Sequence, residues 1–160
     1  MQSDVLIVGA GPAGLCLSLA LAARGMRVEI VERQPAAALA EPAFDGREIA
    51  LTHPSMRLLR ELGVWDRIPA GGRASLRRAR VMDGTDPGFE VDGAAFGRDR
   101  LGMLVSNHHI RAAAWQAMAD DARIRVHTGV AVEAVETDAA AARVRLADGR
   151  LLEAPLLVAA

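Results

Sequence analysis

Apolar positions fall into short unbroken runs at the start of the chain and into alternating or helical patterns further on. Val5 to Val8 is a β-branched apolar run ahead of Gly9, which predicts a strand buried on both faces. Leu15 to Ala23 is rich in Leu and Ala and predicts a helix, with Gly25 as its stop. Arg27 to Glu32 predicts a second strand. The three together make a β-α-β unit within about 30 residues, the size of one crossover. Its strands are expected to be parallel, with a right-handed connection.

Gln34 to Gly46 is Pro/Ala-rich and aperiodic and predicts a loop. Pro54 to Leu62 predicts an amphipathic helix through Met56, Leu58, Leu59 and Leu62, ended by Gly63. Arg77 to Met82 predicts a strand followed by a turn at Asp83-Gly84, and Phe89–Val91 and Met103–Val105 two more. His108 to Asp120 predicts a helix, with Ile110, Ala113, Ala114, Ala117 and Met118 at helical spacing and Asn107 as a candidate N-cap. Ile124–His127, Val130–Glu136 and Arg143–Leu146 follow as short strands, with a hairpin-type turn at Asp148-Gly149. Leu156 to Ala160 predicts one more apolar strand. As the last segment, it would leave an open apolar edge, which natural domains cover. The chain is therefore expected to be the front part of something longer, or to associate through that edge.

The chain has 160 residues, near the usual length of about 150 for one domain. With 51% hydrophobic and 24% charged residues it is globular in composition rather than disordered. A net charge of −1 gives no electrostatic argument for nucleic acid. All 19 strong bases are Arg. The single cysteine, Cys16, excludes an internal disulfide. Val5 to Ala23 carries no charge over 19 residues, long enough to suggest a membrane helix. Gly9, Gly11, Pro12 and Gly14 would break that helix, and no Lys or Arg precedes it as a signal peptide requires. His53, His108, His109 and His127 show no metal-ligand spacing, and Arg73, Arg77, Arg78 and Arg80 read as a solvated strand face.

The chemistry lies in Gly9-Ala-Gly11-Pro-Ala-Gly14. This G-x-G-x-x-G directly follows a strand and opens a helix, and an acid, Glu32, closes the next strand 18 residues after Gly14. That context makes it a dinucleotide fingerprint. Gly9 permits the tight turn, Gly11 lets backbone approach a pyrophosphate, and Gly14 lets the helix pack close to the strand. The helix N-terminus presents free N–H groups to the phosphates. Glu32 would accept hydrogen bonds from a ribose and disfavours a 2′-phosphate. The fingerprint alone leaves NAD and FAD open.

Asp4 to Leu15, Leu21 to Gly25 and Val28 to Arg33 resemble the N-terminus of FAD-dependent aromatic monooxygenases of the p-hydroxybenzoate-hydroxylase type. Phe44 to His53, with its Asp-x-Arg-x-x-Ala-Leu pattern, and Leu58 to Trp65 resemble the ubiquinone-biosynthesis branch. Leu104 to Arg111 is similar to the segment opening that family's helix beside the flavin. The resemblance implies a Rossmann-like α/β FAD/NAD(P)-binding fold over residues 1–72 and 106–160. It also implies a β-rich insertion over 73–105 that begins a substrate domain.

It implies that Gly9, Gly11, Ala13 and Gly14 face the FAD pyrophosphate, that Glu32 holds the adenosine ribose, and that Arg33 lies beside the adenine. Arg47 would reach the flavin's phosphate or ribityl region. Asn107, if more than an N-cap, and Arg111 would lie near the pyrophosphate and ribityl chain, and Val132 would touch the adenine. The implied activity is hydroxylation of a phenolic or prenylated quinone precursor with NAD(P)H and O₂. No catalytic residue and no metal is assigned. The implied location is the cytoplasm, with peripheral contact at the inner membrane or with a biosynthetic complex left open. The family's second flavin motif, its later Gly-Asp motif and its C-terminal part do not occur in these 160 residues. An NAD-dependent oxidoreductase and a non-catalytic fragment remain as alternatives.

Overall fold

The computed structural model describes residues 3–84, 86–119 and 121–160. Along the chain run β1 (Val5–Val8), α1 (Pro12–Ala22), β2 (Val28–Glu32), α2 (Ala36–Ala40), β3 (Glu48–Thr52) and α3 (His53–Glu61). Then come β4 (Arg73–Leu76), β5 (Arg78–Asp83), β6 (Asp86–Asp92), β7 (Gly102–Ser106) and α4 (Asn107–Met118). The last five are β8 (Ile124–Thr128), β9 (Val132–Thr137), β10 (Ala142–Leu146), β11 (Leu151–Ala154) and β12 (Leu156–Ala159). Short 3-10 turns lie at Trp65–Arg67, Ala70–Gly72 and Gly93–Phe96.

The first β-α-β unit is parallel as expected and sits inside a four-stranded parallel sheet of order β12-β1-β2-β8. Ile7 pairs with Ile30 on one side and Val158 on the other. Alternate side chains of these strands enter two different cores. Val5, Ile7, Val28 and Ile30 face the helices, joining Leu15 of α1 and Ile110 and Ala114 of α4. Leu6 and Val31 face the other way, against Val144, Leu146 and Ala154 of the antiparallel sheet β9-β10-β11. The parallel sheet is thus covered on both faces. That is why β1, at its centre, reads as an unbroken apolar run, whereas β2 and β8 toward one edge carry polar residues among their apolar ones. Burying each such side chain contributes roughly 1.5–3 kcal/mol.

Beside this layered body stands a second antiparallel sheet, β3-β7-β4, and beyond it the two-stranded ribbon β5-β6. In that sheet Leu51, Met103 and Ser75 share one register level and Ile49, Val105 and Arg73 another. Directly paired residues lie on one face, and here that face turns toward α3 and the buried Trp65.

Several local expectations are corrected. The Gln34–Gly46 loop contains α2. Pro35 stands before five good helix formers at the position where its fixed φ suits a helix entry. Strands β3, β4 and β11 appear where none was expected. The N-cap of α4 is Ser106, and Asn107 is the first helical residue. Asp120, the last residue of that expected helix, lies outside the described residues. The basic run divides: Arg78 and Arg80 lie on the ribbon's exposed face, paired with Asp92 and Glu90, whereas Arg73 packs on Trp65.

Candidate dinucleotide site

The site begins where β1 ends. Gly9 has φ +108°, and a Cβ on it would stand 2.1 Å from the Ala160 carbonyl oxygen. The turn is held from both sides, because Gly9 N–H donates to Val31 O and Ala160 N–H to Val8 O, each at 2.9 Å. Gly14 is buried, and a Cβ there would stand 2.1 Å from Gly9 O. The start of α1 is therefore drawn onto the glycine turn as closely as backbone permits. Gly11, the N-cap, differs: an added Cβ meets no protein atom within 4 Å. The room beside it is the cleft itself. Pro12 follows at the first helical position and has no N–H, so the amides of Ala13 and Gly14 are the ones without an intrahelical acceptor. They lie at the positive end of the helix dipole.

Around this end opens a cleft of about 660 Å³. Gly9, Gly11, Glu32, Arg33, Arg47, Arg111 and Val132 all line it. Of the remaining expected residues, Gly14 is buried behind it. Ala13 and Asn107 line a neighbouring apolar cleft of about 270 Å³ instead.

The Glu32 carboxylate already has two partners. Oε2 accepts from Ala10 N–H and Oε1 from Gln34 N–H, both at 2.8 Å. It ties the glycine turn to the end of β2, a structural duty the motif did not reveal. Each oxygen keeps further acceptor capacity for a ribose hydroxyl.

Arg47 is held by Asp45, with Nε at 2.9 Å from Oδ2, and Asn107 Nδ2 donates to the same oxygen at 2.7 Å. The guanidinium first and the Asn107 amide second hold the Asp45 carboxyl far below the usual carboxylate range. Asp45 was missed from the sequence, although it stands two places before Arg47 in the Asp-x-Arg segment. Arg111 donates to Gln34 Oε1 at 2.8 Å. Gln34, Val130, Ala131 and Ala160 also line the cleft. Cys16 borders the apolar cleft; burial pushes its thiol up to about 11, so it stays protonated and unreactive at neutral pH.

On the geometry alone the donors fit a dinucleotide. Free helix amides and three guanidiniums meet a single acid at the end of β2, matching a pyrophosphate next to a ribose. The fold and cleft therefore define a dinucleotide-binding type of protein. The FAD binding domain family matches residues 2–160, and the chain belongs to that family. FAD rather than NAD is accordingly the cofactor.

The chain is 42% identical to the ubiquinone hydroxylase UbiM of Neisseria meningitidis, over 100% of its own length and 36% of the relative's. It is 28% identical to the 3-demethoxyubiquinol 3-hydroxylase of Escherichia coli, over 99% of its length and 41% of the relative's. Among solved structures, the OxyS anhydrotetracycline hydroxylase of Streptomyces rimosus superposes with a TM-score of 0.77 at 25% identity, over 99% of this chain and 31% of that one. The chain thus spans little more than a third of the curated relatives it matches.

Proposed function

We propose that this chain is the FAD-binding N-terminal portion of a hydroxylase that acts on a phenolic or prenylated quinone precursor in ubiquinone biosynthesis, using NAD(P)H and O₂. The observation that carries the reading is the convergence of Gly11, Glu32, Arg33, Arg47 and Arg111 on one cleft, together with the 42% identity to a ubiquinone hydroxylase. Bound FAD would supply the redox chemistry, taking reducing equivalents from NAD(P)H and activating O₂ for the ring.

The chain's own residues bind and orient. The α1 amides and Gly11 receive the pyrophosphate, and Glu32 accepts from the adenosine ribose with Arg33 beside the adenine. Val132 offers its backbone to the adenine. Arg47 and Arg111 turn from Asp45 and Gln34 to the phosphates and the ribityl chain. Gly9 and Gly14 hold the turn in shape, and Ala13 and Asn107 border the site from the apolar cleft. Residues 1–72 and 106–160 form the FAD-binding portion, and 73–105 begin the substrate portion. No residue here is assigned an acid or base role.

Among the described residues no helix is long and apolar enough to cross a membrane. A cytoplasmic protein meeting its prenylated substrate at the inner-membrane surface accords with that. The outer edge of β12, with Leu156 exposed, is where the chain would pair with further protein or with a second copy.

Titrating FAD into the purified protein, followed by flavin fluorescence and visible absorbance, tests the reading. Saturable binding at micromolar FAD is expected, weakened by Arg47→Gln. Binding of NADH without FAD would overturn it.

A further inference from the structure

A second polar cavity, of about 460 Å³, lies on the α3 side of the β3-β7-β4 sheet and shares no lining residue with the flavin cleft. Arg60, Arg73 and Arg100 all open onto it, and Asp99 is its one carboxylate. Three guanidiniums against one carboxylate leave a surplus of two positive charges. Met56 and Met103 wall it.

Its cations are held in place. The Arg73 guanidinium lies 4.6 Å from the Trp65 ring centroid and donates to the carbonyls of Trp65, at 2.7 Å, and Ile68. Arg60 lies 4.8 Å from the same ring and has no ion-pair or hydrogen-bond partner among the described residues. Arg100 is paired with Asp99 and also reaches Met103 Sδ at 3.5 Å. His53 is tied by its Nε2 to the Arg100 carbonyl at 3.2 Å. Side chains already ordered lose less freedom when a ligand arrives, and a guanidinium fork matches oxyanion geometry.

We propose that this cavity is a binding site for a phosphoryl oxyanion, either free phosphate or a phosphate monoester. The surplus of two charges selects this class. A phosphate monoester is close to a dianion at neutral pH, whereas a simple carboxylate brings one charge. The site is independent of the flavin reading and needs no FAD.

Trp65 sits inside the site, and Trp115 is the only other indole, so Trp115→Phe leaves Trp65 as the sole emitter. Inorganic phosphate is titrated at constant ionic strength held with sodium chloride, with Trp65 fluorescence as the readout. Calorimetric titration of the unsubstituted chain reads the same binding without that substitution. Saturation at about 1 mM, weakened at least about tenfold in Arg60→Gln/Arg100→Gln with FAD binding and circular dichroism unchanged, is the expected result.

Adenosine 2′-monophosphate, with adenosine as control, separates the sources. Tighter binding than phosphate identifies an ester as the ligand, and equal binding identifies the free anion. No saturable response to either probe overturns the site, as does an equal response to chloride or an unaltered response in the double variant.

Discussion

The parallel sheet and the β5-β6 ribbon are both built from short strands, yet they are stabilised by opposite means. In the parallel sheet Leu6, Ile7, Ile30 and Val31 are at most 2% exposed, and both faces are covered by other layers. The ribbon turns one face of Arg78, Arg80, Glu90 and Asp92 to solvent as cross-strand ion pairs. On its other face Val81 pairs with Phe89, and the two are 53% and 60% exposed. The first region gains its stability from apolar burial, the second from strand hydrogen bonds and screened charges, and an isolated two-stranded ribbon is marginal. The cleft proposed for FAD is built on the first. A site that must hold a pyrophosphate against several backbone amides needs a frame that does not flex.

The largest test sets equivalent truncations against each other. Ile30→Ala is expected to lower unfolding free energy by about 4 kcal/mol, and Phe89→Ala by about 0.5 kcal/mol, both read from urea midpoints. Equal losses would erase the distinction. Next comes a contrast inside the fingerprint. Gly14→Ala forces a Cβ to 2.1 Å from Gly9 O and should cost about 3 kcal/mol and remove flavin binding with it. Gly11→Ala meets no atom within 4 Å, so stability should hold within about 0.5 kcal/mol while FAD affinity falls about tenfold. A loss of stability in the second variant would show that Gly11 serves the frame rather than the ligand.

This division also explains what the sequence disclosed. The apolar runs of β1 and β12 and the Val28, Ile30 and Val31 of β2 made these strands legible, and the fingerprint with Glu32 pointed to the cleft. Strands covered on one face were harder. Glu48–Thr52 alternates exposed and sheltered positions over only five residues, and Leu151–Ala154 is shorter still. Five alanine and leucine residues after Pro35 were hidden by composition that resembles a linker. Partners that depend on distant chain were not legible at all. Nothing local says that Asn107 meets Asp45 across 62 positions, or that the Glu32 carboxylate is engaged by two backbone amides. The cap of α4 was misplaced by one residue because Ser106 and Asn107 are both good caps, and tertiary contact chose between them.

Glu32 is where frame and ligand meet, and its effect should be intermediate. Glu32→Gln keeps one acceptor oxygen but loses the charge and sets an amide NH₂ against a backbone N–H. A loss of about 1.5 kcal/mol in stability is expected, since hydrogen bonds to charged groups contribute about 1.5–3 kcal/mol. A roughly tenfold weaker FAD should accompany it. If flavin affinity fell with stability untouched, the two amide contacts would be incidental to the fold.

The smallest effects belong to the ribbon. Arg80→Gln breaks the pair with Glu90, and exposed pairs contribute at most about 1 kcal/mol, so the urea midpoint should barely move and the difference should vanish in high salt. Acid gives the same region a sign. The Ala94 amide first, then Arg78, holds the Asp92 carboxyl below its ordinary value. Its contribution is therefore present above the unfolded carboxylate range, about pH 4, and is lost as pH falls through and below that range. Asp92→Asn should differ from the parent at pH 7 and approach it near pH 3. The parallel sheet has carboxylates of its own, Glu32 at the end of β2 and Glu29 beside His127 of β8 at 2.6 Å, so the informative comparison is between the parent and Asp92→Asn at each pH. An unfolding transition in which Asp92→Asn moves the ribbon's signal while the parallel sheet's stays with the parent would separate the two regions by the forces that hold them. A single coincident shift would make the ribbon part of the same cooperative unit, its exposed apolar face notwithstanding.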